Sequence, residues 1–194
     1  MIIGLIGLIG SGKSTVGEYL LSKGFLVIDL DKLSHKIYEK GSEQYEKIIE
    51  IWGKQVLDSN LEISRPELSR IVFNKESSSL AKLQSIVWPK LEELLESRLD
   101  EIDKNEIIFI EGAQIVKSGF NKYCDKLWCI VSSIENIKSR LEGNSHPDFL
   151  NRLKIQIEDY AQLNNIDEFI YNDSTKQELN NNVQFLLERI RKEF

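Results

Sequence analysis

Eight residues near the start of the chain, Gly7-Leu8-Ile9-Gly10-Ser11-Gly12-Lys13-Ser14, satisfy G-x-x-x-x-G-K-[ST] in full. This spacing suits a polyphosphate cradle. Gly7, Gly10 and Gly12 let the backbone turn successive N–H groups toward phosphate oxygens. A helix that begins at the end of the loop offers its positive terminus to the same anion. Lys13 is expected to reach the β- and γ-phosphates, and the Ser14 hydroxyl to ligate Mg²⁺. Ser11 and Thr15 complete the expected nucleotide-binding set. The motif predicts a nucleoside triphosphate, with ATP and Mg²⁺ the expected cofactors, although the loop alone does not separate a GTPase, a transport or motor ATPase and a small-molecule kinase.

A second acidic group should complete the metal site from the end of a buried strand. Ile107-Ile108-Phe109-Ile110-Glu111 has that form, so Glu111 is the expected partner of Ser14, directly or through water; a simple strand-edge cap is the plainer reading. Asp31 follows a second apolar run and is expected beside the loop. A carboxylate there can take the proton of an acceptor hydroxyl as it attacks the γ-phosphate. Asp29 is close enough to share the role, although capping the next helix explains it equally well. Arg140 and Arg152 flank the polar segment 142–148, as lid cations should. His35 and His146 read as surface residues.

These groups need a scaffold. Ile2–Ile6 reads as a strand, Lys13–Ser22 as a helix with Val16, Leu20 and Leu21 on one face, and Phe25–Ile28 as a second strand. This is a β-α-β unit, hence parallel with a right-handed crossover. Residues 32–104 read as mostly helical. Ser64 and Glu67 fit a capping box around Pro66, and Pro89 should break or kink a long helix after Trp88. Strand signals return at 106–110, 126–131 and 169–171, with helices over 134–141, 147–162 and from about Thr175. The expected fold is a three-layer α/β P-loop NTPase domain over residues 1–194. It has a five-stranded parallel sheet, a helical acceptor-binding insertion at 32–104 and a short lid at 141–152, with ligands at the carboxyl edge of the sheet.

Composition removes other classes. The chain has 194 residues, 41% hydrophobic and 29% charged, with a formal net charge of −6. That is a domain able to bury a core and poorly suited to non-specific nucleic-acid binding. Cys124 and Cys129 match no zinc or redox spacing and read as free, half-buried thiols of a cytoplasmic protein. Met1–Ile9 lacks the basic flank of a signal peptide, and no run is long enough to span a bilayer. Asn121-Lys122-Tyr123-Cys124-Asp125 has one residue too many for guanine reading and is expected to be a solvated loop. The expected partners are small-molecule substrates, with no nucleic acid and no membrane, on a monomer or weak homo-oligomer.

Along nearly its whole length the chain resembles dephospho-coenzyme A kinases. Val27-Ile28-Asp29-Leu30-Asp31 is similar to the family's V-I-D-x-D, whose last Asp is the proposed base. Ile63-Ser64-Arg65-Pro66-Glu67-Leu68 with Ile71-Val72-Phe73 is similar to its I-x-R-x-x-L…VF segment. That likeness makes Arg65 a candidate contact for the acceptor's phosphates. Arg152-Leu153-Lys154-Ile155-Gln156 resembles its R-[IL]-x-x-Q stretch, and Ile170-Tyr171-Asn172-Asp173 its I-x-N-[DN] turn, which implies Asn172 near the adenine of ATP. The resemblance implies phosphorylation of the ribose 3′-hydroxyl of dephospho-coenzyme A.

The chain departs from the pattern in three places. Trp88-Pro89 stands where the family has His-Pro, so Trp88 would pack on the acceptor's base or apolar arm, or serve as a core residue. Ala113-Gln114-Ile115-Val116-Lys117 replaces P-L-L-F-E, and Asn144 and Ser145 fall where a second lid Arg and Asp are usual. A nucleoside or nucleotide monophosphate kinase, or a nucleotide-binding regulatory protein with weak transfer, shares the remaining features.

Overall fold

The run Ile2–Gly7 forms β1, the central strand of a sheet buried on both faces, which is why it reads as continuous apolar sequence rather than as alternation. A computed structural model describes residues 1–74, 77–142 and 149–193. After β1 come α1 (Lys13–Ser22), β2 (Leu26–Asp29), α2 (Leu30–Leu33), α3 (Glu43–Trp52), α4 (Arg65–Asn74), α5 (Ser77–Asp100), β3 (Ile108–Glu111), β4 (Lys126–Val131), α6 (Ile134–Leu141), α7 (Phe149–Tyr160), β5 (Glu168–Tyr171) and α8 (Lys176–Glu193). Short 3₁₀ turns cover Ser34–Tyr38, Lys54–Val56 and Phe120–Tyr123. The last of these overlaps the stretch 121–125 expected as a solvated loop, where Asn121, Lys122 and Asp125 are exposed.

All strand pairs are parallel, in the order β2-β3-β1-β4-β5. β3 therefore lies between β1 and β2. The expectation that the end of β2 stands directly beside the loop is corrected: the residue one strand away is Glu111, paired with Leu5 on one side and Asp29 on the other. A right-handed crossover requires strands in one sheet, not adjacent strands.

The chain divides into two compact units: Met1–Asp29 with Asp103–Ser145 and Leu153–Phe194, and Leu30–Ile102 with His146–Arg152. The first is the three-layer α/β unit. Ile3, Leu5, Phe109, Trp128, Ile130 and Ile170 project from one sheet face. They meet Val16 and Leu20 of α1 and Leu179, Val183, Leu187 and Ile190 of α8. The apolar positions of α8 recur every three or four residues, which is what lays one stripe on the sheet. Cys129 is buried, deeper than the half-buried site expected, and burial pushes its thiol up to about 11. Cys124 is half-buried.

The second unit is helical, around Tyr45, Ile48, Trp52, Leu68, Ile71 and Val72. Two local expectations change here. α5 runs unbroken through Pro89. The proline removes one backbone donor, and the buried positions Val87, Leu91 and Leu95 hold the helix on both sides of it. The capping box at α4 is half made. Ser64 Oγ accepts from the Glu67 N–H at 3.5 Å, but the Ser64 N–H already donates to the Val56 carbonyl at 2.8 Å, and the Glu67 carboxylate takes Arg70.

Candidate active site

The loop between β1 and α1 is shaped by its glycines and by what packs on them. Gly12 caps α1 in the left-handed region, at φ 108°. A Cβ there would stand 2.2 Å from Asn172 Nδ2. Asn172 is buried, and its amide donates to the Ser11 carbonyl at 2.7 Å. Glycine is thus required at position 12 both by the turn and by the side chain laid across it. Lys13 curls back, and its Nζ donates to the carbonyls of Gly7 at 3.0 Å and Leu8 at 3.1 Å. Ser11 is fully buried, and its hydroxyl has no hydrogen-bond partner among the described residues. Thr15 sits half-buried on the first turn of α1.

Ser14 and Glu111 meet. The Ser14 hydroxyl donates to Glu111 Oε1 at 2.7 Å, and Glu111 is only 7% exposed at the end of β3. Alternation along β3 turns Glu111 to the same face as Phe109, toward α1. There Gly17, one helical turn beyond Ser14, leaves the room it needs: a Cβ at Gly17 would lie 2.7 Å from Glu111 Oε2. A hydroxyl and a carboxylate side by side are hard oxygen donors of the kind that could hold magnesium. Among the described residues no group of three His, Cys, Asp or Glu forms a protein-only metal cage.

Arg140 bridges three elements. Its Nη1 donates to the Gly10 carbonyl at 3.2 Å and to Ser132 Oγ at 3.1 Å, and its Nη2 to the Asn172 carbonyl at 2.7 Å. It braces the loop against the ends of β4 and β5. The neighbouring turn is tied by Asp173, whose Oδ1 accepts from the Ser133 N–H at 2.7 Å, Ser132 Oγ at 2.8 Å and Asn136 Nδ2 at 3.0 Å. Those donors hold its carboxyl well below the usual carboxylate range, led by the backbone N–H of Ser133.

In the helical unit, Asp31 is exposed on the first turn of α2, two residues past the end of β2. Arg65 is the first residue of α4 and donates through Nη1 to His35 Nε2. The Arg65 guanidinium also stands 6.0 Å from the Tyr38 ring, and Arg152 lies 4.7 Å over Phe73 and donates to Ser69 Oγ at 2.5 Å. Burial raises the Tyr38 phenol. Arg65 and Arg152 oppose that rise and Asp31 adds to it, so the four charges and dipoles share one neighbourhood. Trp88 is half-buried on α5. Residues 143–148, the centre of the expected lid and the site of His146, lie outside the described residues.

Sequence reasoning missed Gly17, the His35–Arg65 contact and the tie at Asp173. Gly17 did leave a signal, since a glycine inside an otherwise good helix is unfavourable by about 1 kcal/mol unless something needs the space.

Known proteins point the same way as this geometry. The family model described as dephospho-CoA kinase matches residues 1–178. The dephospho-CoA kinase of Fusobacterium nucleatum is 38% identical over 201 residues, 98% of each chain. Among solved structures, dephospho-CoA kinase from Campylobacter jejuni superposes with a TM-score of 0.71 at 27% identity, over 99% of this chain and 98% of that one. Shikimate kinase from Aquifex aeolicus matches at a TM-score of 0.55 and 19% identity, over 97% of this chain and 96% of that one, and so shares the fold. With a family match over most of its residues and a relative at this identity along its whole length, the chain belongs to the dephospho-CoA kinase family.

Proposed function

We propose that this chain transfers the γ-phosphoryl group of ATP to the ribose 3′-hydroxyl of dephospho-coenzyme A, giving coenzyme A and ADP. The observation that carries the reading beyond family membership is the Ser14–Glu111 contact on a complete phosphate loop. Intact Lys13, Ser14, Asp31 and Glu111 argue against a protein that has lost transfer.

Phosphoryl transfer asks the protein mainly for in-line placement and for charge at the transferring group. The loop amides at the start of α1 and Lys13 bind the phosphates, with Lys13 exchanging its two loop carbonyls for phosphate oxygens. Ser14 and Glu111 would hold Mg²⁺, which supplies charge neutralisation at the β- and γ-phosphates when bound. Asp31 accepts the proton of the attacking hydroxyl. Arg140 keeps a positive charge at the loop while bracing Gly10, and Asn172 fixes the loop beside the base of ATP. Arg65 takes the acceptor's phosphates, and Trp88 packs on its base or apolar arm.

The reading puts the protein in the cytoplasm, where Cys124 and Cys129 stay reduced, as a monomer or weak homo-oligomer. No described helix is long and apolar enough to cross a membrane. The test is ADP formation with dephospho-coenzyme A, with AMP, CMP and dTMP, and with no acceptor. Dephospho-coenzyme A should give the highest kcat/KM, with the product phosphorylated at the 3′ position. A preference for a nucleoside monophosphate would make the chain a nucleotide kinase. ATP binding without acceptor-dependent turnover would make it a regulatory protein.

A further inference from the structure

Two side chains of α7 hold the phosphate loop by its backbone. Gln156 Oε1 accepts from the Ile9 N–H at 2.7 Å, and Tyr160 Oη accepts from the Gly7 N–H at 2.5 Å. Four residues apart, they share one helix face. Tyr160 Oη also donates to the Ala113 carbonyl at 3.0 Å. Its hydroxyl therefore joins the start of the loop that carries Lys13 and Ser14 to the chain two residues past Glu111. α7 is fixed to that same segment by a 2.8 Å ion pair between Asp159 and Lys117. Gln156 is 8% exposed and Gly7 is buried, so both contacts lie mostly out of water. Burial raises the Tyr160 phenol, which keeps its proton on and its bond to Ala113 available.

We propose that Gln156 and Tyr160 are positioning residues for nucleotide binding. They hold the Gly7–Ile9 limb of the loop open and set the spacing between Ser14 and Glu111 without touching the nucleotide. The geometry separates two sets of loop amides. Those of Gly7 and Ile9 are committed to α7, and the later ones, at the start of α1, are the ones left for phosphate. The role differs from core packing, because both contacts end on backbone N–H groups of the loop rather than on side chains of the core. It rests on the loop being a nucleotide site.

The test uses the full chain with Tyr160→Phe, Gln156→Met and Gln156→Glu, measuring MgATP Kd by calorimetry, KM for each substrate, and Tm. Each of the first two variants leaves one loop N–H without its acceptor and should raise the MgATP Kd about tenfold. The KM for the acceptor at saturating ATP should stay within about twofold, since the acceptor's contacts are not touched. Gln156→Glu keeps an acceptor oxygen at the same reach and should recover most of the lost affinity. The pair Tyr160→Phe with Gln156→Met should cost less than the product of the two, because both act on one loop. If either variant fails to fold, the other carries the test alone. Variants that lower Tm while the MgATP Kd stays at the wild-type value would overturn the positioning role and leave the nucleotide reading intact. Wild-type protein that binds no MgATP would overturn both.

Discussion

The Ser14 hydroxyl and the Glu111 carboxylate stand 2.7 Å apart, joining the first turn of α1 to the end of the neighbouring strand β3. If this pair holds the metal, removing either oxygen should act mainly through Mg²⁺. Ser14→Ala and Glu111→Gln should each lower kcat/KM by about 10²-fold, the order expected for one preorganised electrostatic contact. Each should also shift the Mg²⁺ activation curve to higher concentration. The double variant should cost less than the sum, because the two groups act as one unit. An Mg²⁺ titration of turnover decides it, and an unshifted curve would remove the pair from the metal site.

Gly17→Ala is a sharper test of the same corner. On helix propensity alone alanine gains about 1 kcal/mol. Its Cβ would come within 2.7 Å of Glu111 Oε2, so the carboxylate must swing away from Ser14. The yielding atom is the far end of a side chain, so the effect falls on activity rather than on folding. Activity should drop about tenfold or more while Tm holds or rises. Gly17→Ala with Glu111→Asp, one methylene shorter, should recover part of it. Full activity in Gly17→Ala alone would show that the spacing is not needed.

What the sequence made legible, and what it hid, divides along physical lines. The loop, α1, β4 and α6 were readable to the residue, because local rules govern them: a phosphate motif, an apolar run buried on both faces, a serine at a helix start. Glu111 was readable as the acidic end of a buried strand. The insertion of β3 between β1 and β2 was not, since strand order depends on where a crossover returns and no local pattern encodes it. The contacts of Asn172 with Ser11 and of Tyr160 with Gly7 span more than 150 residues and end on backbone atoms, which every residue type presents alike. Arg140 was expected to act as a lid cation, yet its guanidinium lies on carbonyls of Gly10 and Asn172. A cation at a helix end finds the nearest carbonyl oxygens, whatever role its position in the sequence suggests.

Asp173 makes stability depend on pH. Its folded carboxyl lies below the ordinary range because three donors converge on the charged form. Its contribution is therefore present above the unfolded value, near pH 4, and is lost as pH falls through the lower folded value. Asp173→Asn should lower Tm at neutral pH, and the gap between wild type and variant should close progressively below about pH 4. Thermal melts from pH 7 to pH 2 measure it. A gap that stays constant with pH would mean that shape, not charge, holds the turn between β4 and α6.

Asp31→Asn separates proton acceptance from binding. The amide keeps the side chain's shape and cannot take a proton, so kcat should fall about 10²-fold or more with MgATP affinity unchanged. Equilibrium binding alongside single-turnover kinetics would distinguish the outcomes. Weakened MgATP binding with normal turnover per bound ATP would assign Asp31 to the metal or to the fold.

Arg65 bears on which acceptor is chosen. It opens α4, is held by His35 and stands near Tyr38. A guanidinium kept in place this way can bind a pyrophosphate with little ordering cost. Remote contacts of this kind are used to orient the reacting hydroxyl, so their loss appears in kcat/KM. Arg65→Ala should lower kcat/KM for dephospho-coenzyme A by about 10- to 100-fold, as expected for a charged hydrogen-bonding partner. It should leave the KM for ATP near the wild-type value. His35→Ala should show a smaller change of the same kind, because it frees the guanidinium without removing it. The discriminating measurement is the ratio of kcat/KM for dephospho-coenzyme A to that for AMP in the three proteins. A ratio that does not move in Arg65→Ala would take Arg65 out of acceptor recognition and turn attention to Trp88 and Arg152.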